Sequence, residues 1–256
     1  MTRVDILGVR IDQGTKEEVL SLVRDFLLSQ QSHTIFTPNP EMIVDAQKYP
    51  AFKRTLNASH MNICDGFGIT LVSILSSHIP HIELYHGIDC MSDICGVAEE
   101  MQKKVYLIGS GDEETVMKAK AYLQKKFPNL SVVGAEPGPY IASLTSEPMF
   151  AVGEDENERS IDRIIDAAPD ILFVGFGHRK QEWWIQENIK HLPSVKIAMG
   201  VGGSIDMFGG KVKRASRMFR SLHIEWLWRV IRQPWRIRRI WNATVTFLYM
   251  YFIKHS

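Results

Sequence analysis

The chain has 256 residues, of which 45% are hydrophobic and 23% are charged, and its formal net charge is +1. This composition is typical of a folded globular protein, and the length allows one large α/β domain or one domain with an appendage. A nearly neutral chain is not drawn as a whole to nucleic acid, so we expect no nucleic-acid partner.

The charge is distributed unevenly along the chain. Residues 211–239 carry ten basic side chains and one acidic side chain, Glu225, which gives this segment a charge of about +9 and leaves the rest at about −8. A basic segment joined to an acidic body indicates an anionic partner for that segment, such as a membrane surface. We therefore predict a core, 1–210, and a basic, aromatic-rich appendage, 211–256.

The cysteines and the N-terminus bear on the compartment. Cys64, Cys90 and Cys95 are odd in number and lack the paired spacing of metal ligands, which favours a reducing compartment. The N-terminal residues contain no apolar signal region, so we do not expect secretion. No apolar run reaches the ~18–20 residues that a membrane-spanning helix needs.

The hydrophobic pattern predicts strands that alternate with helices. The predicted strands lie at 4–9, extended as a hairpin after Gly8, and at 33–36, 61–64, 105–108, 132–134, 170–174 and 195–199. The predicted helices lie at 12–30, opened by a capping box at Thr15 and Glu18, and at 41–46, 52–56, 69–74, 90–103, 113–126, 161–167 and around 183–184. Residues 137–148 are predicted to form a loop and 153–157 a solvated acidic run. This alternation indicates an α/β fold with a mostly parallel sheet and right-handed crossovers.

Polar residues follow two of the predicted strands, at the point where each strand ends. They are Thr37, Asn39 and Asp65. Ligands of open α/β sheets bind just past the carboxyl ends of the strands, so these side chains are candidates for chemistry. The alternative left open is that Thr37 and Asn39 cap a helix beginning near Pro40 and that Asp65 caps the next one.

Glycine-bearing turns follow three other predicted strands. Such turns let backbone N–H groups approach a phosphate or ribose, which makes the following residues nucleotide-binding candidates: Gly109, Gly111, Gly175, Gly177 and Gly202. The first turn is half of a dinucleotide-binding fingerprint, with Glu114 in place of the third glycine and Glu136 at the position of the ribose-binding acid. A simple tight turn and a soluble NAD(P)-dependent oxidoreductase of Rossmann type both stay open as alternatives.

Other polar residues lie near these turns. Gln181 and Glu182 either start a helix and do nothing more, or Gln181 hydrogen-bonds a sugar hydroxyl. His86 and His178 are candidate phosphate or sugar contacts that rank below Asp65. The histidines include no i,i+4 pair with a third ligand in view, so we expect no metal and no cofactor.

The basic segment carries an arginine stripe. Four arginines recur at spacings of 3, 4 and 3, which places them on one face of a helix: Arg229, Arg232, Arg236 and Arg239. Pro234 kinks this helix or starts a new one. The alternative is an ordinary amphipathic helix that docks on the body of the protein with its arginines in solvent.

An aromatic-rich stretch, 240–253, follows the arginine stripe. It is too short to span a bilayer and suits a helix that lies at the membrane interface. In that arrangement Trp241, Tyr249 and Tyr251 would lie at the depth of the lipid headgroups.

These motifs together resemble the WecG/TagA/CpsF family of bacterial glycosyltransferases, over nearly the whole chain from Val4 to Arg239. The residues that carry the resemblance are Thr37-Pro-Asn39, Asp65-Gly66, Gly87-Ile-Asp89, Lys180-Gln181-Glu182, Gly200 to Asp206, Lys213-Arg214-Ala215, Glu225 to Arg229 and Pro234-Trp-Arg236. The resemblance implies a Rossmann-like α/β core and a C-terminal helical appendage that meets the membrane and closes over the site.

The resemblance also implies an activity. Such enzymes transfer a sugar, with inversion and without a metal, from a nucleotide donor that is usually UDP-linked. The acceptor is a polyprenyl-diphosphate-linked sugar at the cytoplasmic face of the bacterial inner membrane. An N-acetylhexosamine, its uronic acid or glucose is the expected sugar, and the expected product belongs to surface polysaccharide synthesis. A homo-oligomer is compatible with the sequence.

Carried over by motif, the catalytic base would be Asp65. The sugar would be contacted by Thr37, Asn39 and Gln181, and the diphosphate would be held by Arg229, Arg236 and Arg239. Three positions depart from the family pattern: Leu84 replaces an arginine, and Arg179 and Ser216 replace prolines. These departures keep a catalytically inactive, membrane-bound scaffold as an alternative.

Overall fold

The protein is described by a computed structural model that covers residues 1–109, 111–143, 150–216 and 241–254, together with Phe219, Trp228 and Ile237. The first half of the chain forms β1 (Thr2–Ile6), β2 (Val9–Gln13), α1 (Lys16–Leu28), β3 (His33–Phe36), α2 (Pro40–Lys48), α3 (Pro50–Asn57), β4 (Met61–Asn62), α4 (Phe67–Leu75), α5 (Gly87–Glu100), β5 (Lys104–Gly109) and α6 (Glu113–Lys126). The second half forms β6 (Ser131–Glu136), β7 (Ile141–Ser143), β8 (Phe150–Val152), α7 (Glu154–Ala167), β9 (Ile171–Gly175), α8 (Lys180–Asn188), β10 (Ile197–Gly200), α9 (Ser204–Phe208) and α10 (Phe247–Lys254).

Six of the strands form one parallel sheet in the order β4-β3-β10-β9-β5-β6. This arrangement confirms the predicted α/β fold with a parallel, Rossmann-like sheet. Because all six strands run in the same direction, their carboxyl ends lie along one edge of the sheet. The loops after β3, β4, β6, β9 and β10 therefore meet at that edge.

Helices cover both faces of the sheet, and each strand alternates its side chains between them. In β9, Leu172 and Val174 join one apolar cluster, with side chains from α2, α3 and α8. Ile171 and Phe173 join the other cluster, with side chains from α1, α5 and α6. A strand that is buried on both faces is apolar throughout, which is why the central strands are visible in the sequence as continuous apolar runs.

The helix predicted at 12–30 is shorter in the structure. Asp12 and Gln13 pair with β1 in the N-terminal hairpin, so α1 begins only at Lys16. The predicted capping box is present, because Thr15 Oγ1 accepts from the Glu18 backbone N–H and Glu18 accepts from the Thr15 backbone N–H. These two bonds satisfy donors that the first turn of a helix leaves unpaired.

Two segments without a predicted helix or strand contain regular structure. The acidic run at 153–157 is mostly exposed, as expected for a solvated run, and most of it forms the first turn of α7. Glu154, Asp155 and Glu156 lie near the positive end of that helix, where negative charge is favourable. The loop predicted at 137–148 contains β7, which pairs antiparallel with β8 in a small hairpin.

The C-terminal helix α10 docks on the core. It packs against α2 and α4, and Phe247 and Tyr251 are fully buried in the same cluster as the sheet. The Tyr251 hydroxyl donates to Ser76 Oγ at 3.2 Å, so the prediction that Tyr251 lies at headgroup depth is wrong. Trp241 and Tyr249 are 60% and 66% exposed. No helix in the described ranges has the length and apolar content to cross a membrane. The division at residue 210 stays a prediction.

Candidate active site

A cleft of about 1190 Å³ lies along the carboxyl edge of the sheet. It is lined by the loops that follow β3, β4, β6, β9 and β10 and by the first turns of several helices. The predicted site residues that line it are Thr37, Asn39, Asp65, Gly111, Gly175, Gly177, Gln181 and Gly202. The fold therefore brings together residues that are far apart in the sequence.

Thr37 and Asp65 both line the cleft and lie close to Gly87. The Asp65 backbone N–H donates to the Pro38 carbonyl at 3.0 Å, which ties the loop after β4 to the loop after β3. Gly87, the first residue of α5, packs against both side chains. A Cβ atom at Gly87 would lie 3.2 Å from Thr37 Oγ1 and 3.6 Å from Asp65 Oδ2. Glycine thus allows the start of α5 to approach the two polar groups closely.

Asn39 has a structural role in the same corner. Its Oδ1 accepts from the Met42 backbone N–H at 3.0 Å, so Asn39 is the N-cap of α2 and the capping alternative is confirmed for it. A contact between Asn39 and a substrate would have to come from its Nδ2 group. Gly66, with φ at +102°, packs on the Asn39-Pro40 turn and carries the chain into α4.

Asp65 does not cap a helix. The N-cap of α4 is Gly66, and no side chain makes a capping hydrogen bond there, so the capping alternative is wrong for Asp65. Its side chain is 32% exposed and faces the cleft. Asp65 Oδ1 lies 3.3 Å from His86 Nδ1, at the start of α5. A half-exposed carboxylate with an imidazole neighbour is suited to accept a proton from a bound hydroxyl.

Gln181 lies in the cleft wall, but its amide is already engaged. Its Oε1 accepts from the Gly202 backbone N–H at 2.9 Å, and its Nε2 donates to Glu182 Oε1 at 2.7 Å. Burial raises the pKa of the fully buried Glu182 carboxyl, and the hydrogen bond from Gln181 opposes that rise. Glu182 thus fixes the amide of Gln181, and any sugar contact by Gln181 would compete with these two bonds.

The glycine turn after β5 differs from a dinucleotide-binding turn. Gly109 packs against β9, the neighbouring strand in the sheet. A Cβ atom at Gly109 would lie 2.6 Å from the Gly175 backbone. Both carboxylate oxygens of Glu136 are hydrogen-bonded within the protein, one to the Tyr106 hydroxyl at 3.1 Å and the other to Arg163 Nε at 2.6 Å. Glu136 therefore serves the packing of β6 and is not presented to a ribose.

The cleft lining contains several positively charged groups, beside the acidic Glu41, Asp65, Glu156 and Asp206. The first turns of α2, α4, α5 and α8 contribute to its lining, and each presents the positive end of a helix. Lys180, Lys211 and Lys213 also line it. Lys180 Nζ donates to the Ile141 carbonyl at 2.5 Å, and Lys211 Nζ lies 2.6 Å from Asp112 Oδ2. The helix starts and the three lysines are thus sources of positive charge that the protein itself contributes to the cleft.

Across the part of the chain that the structure describes, no three His, Cys, Asp or Glu side chains are grouped to hold a metal ion. Cys64, Cys90 and Cys95 are all buried and free. Burial raises the pKa of the thiols of Cys64 and Cys95 to about 12, so they are inert apolar groups at neutral pH.

The family model described as "Glycosyl transferase WecG/TagA/CpsF family" matches residues 4–256. The chain belongs to this family of glycosyltransferases. Two curated relatives are similar to it over most of their length, and both are named N-acetylglucosaminyldiphosphoundecaprenol N-acetyl-beta-D-mannosaminyltransferase. The relative from Staphylococcus aureus strain MW2 is 33% identical over 253 residues, which cover 96% of this chain and 91% of the relative. The relative from strain MRSA252 is 34% identical with the same coverage.

Membership of the WecG/TagA/CpsF family makes the chain a glycosyltransferase and not an oxidoreductase. The predicted diphosphate-binding residues Arg229, Arg236 and Arg239 lie outside the described residues, as does Arg232 of the same stripe. The residue before Arg229, Trp228, is described and lines the cleft.

Two family motifs that are far apart in the sequence meet in this WecG/TagA/CpsF glycosyltransferase. Arg214 donates to both oxygens of Asp89, at 2.7 and 2.5 Å. Asp89 lies in the first turn of α5, beside His86 and Gly87. This bidentate ion pair connects the start of the basic segment to α5, the helix that borders the cleft.

The departures from the family pattern have local consequences. Arg179 has φ at +68°, which the proline of the family could not adopt because its ring holds φ near −65°. Arg179 Nε lies 3.6 Å from Asp45 Oδ2, and the Arg179 guanidinium lies over the Tyr49 ring. Burial alone would raise the pKa of Asp45, but His178 and Arg179 hold it below its usual value. Leu84 is half-buried before α5, and Ser216 is exposed.

Sequence reasoning missed several residues that line the cleft. Lys180 belongs to the Lys180-Gln181-Glu182 motif, and its side chain lines the cleft. Tyr140, which is exposed beneath Lys180, belongs to the segment predicted as a loop. Thr244 and Leu71 come from the C-terminal segment and α4. Only the docking of the C-terminal segment brings Thr244 to the cleft, and no local pattern signals that contact.

Proposed function

We propose that this glycosyltransferase transfers an N-acetylhexosamine, with N-acetylmannosamine as the first candidate, from a UDP-sugar to a polyprenyl-diphosphate-linked N-acetylglucosamine. The product would enter cell-envelope polysaccharide synthesis. The names of the relatives support both the sugar and the acceptor. The observation that carries the proposal is the placement of Asp65 beside Thr37 in a large cleft at the carboxyl edge of a parallel sheet.

In the proposed reaction Asp65 is the general base. Its carboxylate takes the proton of the acceptor hydroxyl as that oxygen forms a bond to the anomeric carbon of the donor sugar. The bond from that carbon to the UDP oxygen breaks on the opposite face, so the configuration inverts and UDP leaves as an anion. A positioned base of this kind contributes about 10²–10⁴ in rate.

Thr37 is placed to orient the reacting sugars. Its hydroxyl lies beside Asp65 and the start of α5, so it can hydrogen-bond a sugar hydroxyl within reach of the base. Asn39 and Gln181 are mainly supports of the site, because their side chains hold α2 and the Gly202 turn. We expect the Nδ2 group of Asn39 to contact a sugar, and Gln181 to do so after an exchange of hydrogen-bond partners.

The departing UDP would be stabilised by fixed positive charge. The helix starts and the cleft-lining Lys180 and Lys213 supply part of it. Arg229, Arg236 and Arg239 are proposed to supply the rest, since guanidinium groups bind diphosphate oxygens in pairs. Trp228 lines the cleft and immediately precedes Arg229, which supports this assignment. The glycine turns after β9 and β10, together with Gly111, are proposed to accommodate the nucleotide.

A peripheral position at the cytoplasmic face of the inner membrane fits a lipid-linked acceptor. The C-terminal segment exposes Trp241, Tyr249, Phe252 and Ile253, which is an aromatic and aliphatic surface suited to the headgroup region. Arginines of the basic segment that face anionic lipid would each add roughly 1 kcal/mol.

A donor screen tests the proposal. UDP-N-acetylmannosamine, UDP-N-acetylglucosamine, UDP-glucose and their uronic acids are incubated with a short-chain diphosphate-linked N-acetylglucosamine, and released UDP is measured with and without EDTA. We expect one N-acetylhexosamine donor to react, and EDTA to leave the rate unchanged. Transfer that stops with EDTA and returns with Mg²⁺ would contradict the metal-free account. No transfer from any donor would support the inactive scaffold.

A further inference from the structure

Helix α4 is apolar on its outer face as well as its inner face. Ile69 and Val72 are buried in the core, as expected for a surface helix. The opposite face would ordinarily be polar, but α4 contains no charged residue. That face carries Phe67, Leu71, Ile74 and Leu75, at helical spacings of four, three and one, which we call the α4 stripe.

The α4 stripe begins inside the cleft and ends on the surface. Phe67 and Leu71 are half-buried and line the cleft, and Phe67 is two residues from Asp65. Ile74 and Leu75 are 57% and 59% exposed. At about 1.5 Å per residue, α4 is about 13 Å long. The α4 stripe therefore runs about that distance from the residues beside Asp65 to the surface.

The end of α4 contacts α10 through the buried face of that helix. Ser76, the residue after Leu75, accepts a hydrogen bond from Tyr251 of α10. Tyr249 and Ile253 of that helix are exposed. The buried face of α10 thus contacts the end of α4, while Tyr249 and Ile253 lie on the opposite face of that helix. Ile74 and Leu75 are adjoining exposed apolar side chains, and such side chains mark a binding surface.

We propose that the α4 stripe binds the first isoprene units of the acceptor's polyprenyl chain as it leaves the cleft. This inference rests on the proposed function, which places the acceptor sugar at Asp65 and the far end of its lipid in the bilayer. The lining of the cleft includes charged side chains on other elements, among them Glu156, Lys180, Lys211 and Lys213. The wall formed by α4 is free of charge, so a hydrocarbon chain that lies on it displaces water from no charged group.

The occupant is a hydrocarbon chain rather than a folded partner because the stripe is narrow and opens from the catalytic cleft. Its cleft end is placed where the diphosphate of the acceptor must pass into lipid. Burial of Ile74 and Leu75 by the chain removes their apolar surface from water, which favours long-chain acceptors over short ones.

The test compares two diphosphate-linked N-acetylglucosamine acceptors, one with a long polyprenyl chain and one with a short water-soluble chain. Both are assayed in detergent micelles, so that no bilayer contributes. The double variant Ile74→Ser/Leu75→Ser should lower the ratio of kcat/KM for the long acceptor to that for the short acceptor about tenfold, mainly through KM. The matched control Leu28→Ser, at a 69% exposed position at the end of α1, should keep the wild-type ratio.

An unchanged ratio in the double variant would overturn the inference. So would an equal fall in the ratio for Tyr249→Ser, since the chain would then be bound by the face of α10. If the wild-type chain transferred sugar to neither acceptor, the proposed function would be contradicted, and the inference with it. Transfer to both acceptors at a ratio that depends on Ile74 and Leu75 supports both.

Discussion

At the scale of single residues, Asp65 and His86 are the central pair of the proposed active site. The imidazole lies 3.3 Å from one carboxylate oxygen, while the other oxygen lies near Gly87. The His86 ring is thus within hydrogen-bond distance of the Asp65 side chain. We infer that His86 is a positioning residue, which fixes the carboxylate toward the acceptor hydroxyl.

Replacing His86 tests that role. His86→Ala should lower kcat about tenfold and leave KM nearly unchanged, because loss of one hydrogen bond to a charged group costs roughly 1.5–3 kcal/mol and only part of it is felt at the transition state. His86→Asn keeps a donor near the Nδ1 position and should recover part of the rate. Steady-state kinetics with saturating donor measure both effects. A rise in KM with unchanged kcat would show instead that His86 binds substrate.

The residues of the site were predictable to different degrees. Asp65 and Thr37 could be selected because polar residues follow apolar strands at both positions. The cap formed by Asn39 was one of two stated alternatives, and the Pro40 that follows it favours that outcome. The hydrogen bond between the Gln181 amide and Gly202 was not predictable. Gln181 follows β9 and Gly202 follows β10, so the two residues meet only in the folded sheet.

At the scale of elements, the ion pair between Arg214 and Asp89 connects the basic segment to α5. Arg214→Ala should lower kcat/KM about tenfold, because the segment that leads to the proposed diphosphate-binding arginines loses its anchor. Arg214→Lys keeps the charge but loses the paired geometry. Its kcat/KM should therefore lie between those of the wild type and of Arg214→Ala.

A double-mutant cycle separates this pair from general effects on the segment. If the two side chains act together, Asp89→Ala combined with Arg214→Ala should be little worse than either single variant, with a coupling of about 1 kcal/mol. Fully additive losses of kcat/KM would mean that the two residues act independently.

Helix α10 has an inner face and an outer face, and they should respond differently to substitution. Phe247→Ala should lower the free energy of unfolding by about 3 kcal/mol, because it opens a cavity beside α2. Tyr249→Ala changes a side chain that is mostly exposed, so it should leave stability within about 0.5 kcal/mol and weaken binding to anionic vesicles.

Denaturant unfolding and vesicle co-sedimentation measure these two properties. The account of α10 as a docked helix with one membrane-facing side would fail if Tyr249→Ala destabilised the protein as much as Phe247→Ala. Truncation before residue 240 removes both faces together, so it is expected to lower stability as well as membrane binding.

At the scale of the whole molecule, the parallel sheet explains why a candidate site could be proposed from the sequence. Alternating apolar runs and helices indicate parallel strands, and parallel strands place all their carboxyl ends on one edge. What the pattern did not reveal are contacts between distant segments. The β7–β8 hairpin is made of two three-residue strands, which are too short to show a period, and α10 docks through contacts with α2 and α4.

The most direct test of the central claim is the rate of sugar transfer by Asp65→Asn at saturating donor and acceptor. Asparagine keeps the size of the side chain and its place beside His86 but does not accept a proton at neutral pH. Circular dichroism and the unfolding midpoint should match the wild type, while kcat should fall by about 10²–10⁴. A folded Asp65→Asn variant that turns over near the wild-type rate would contradict the claim that this carboxylate is the base.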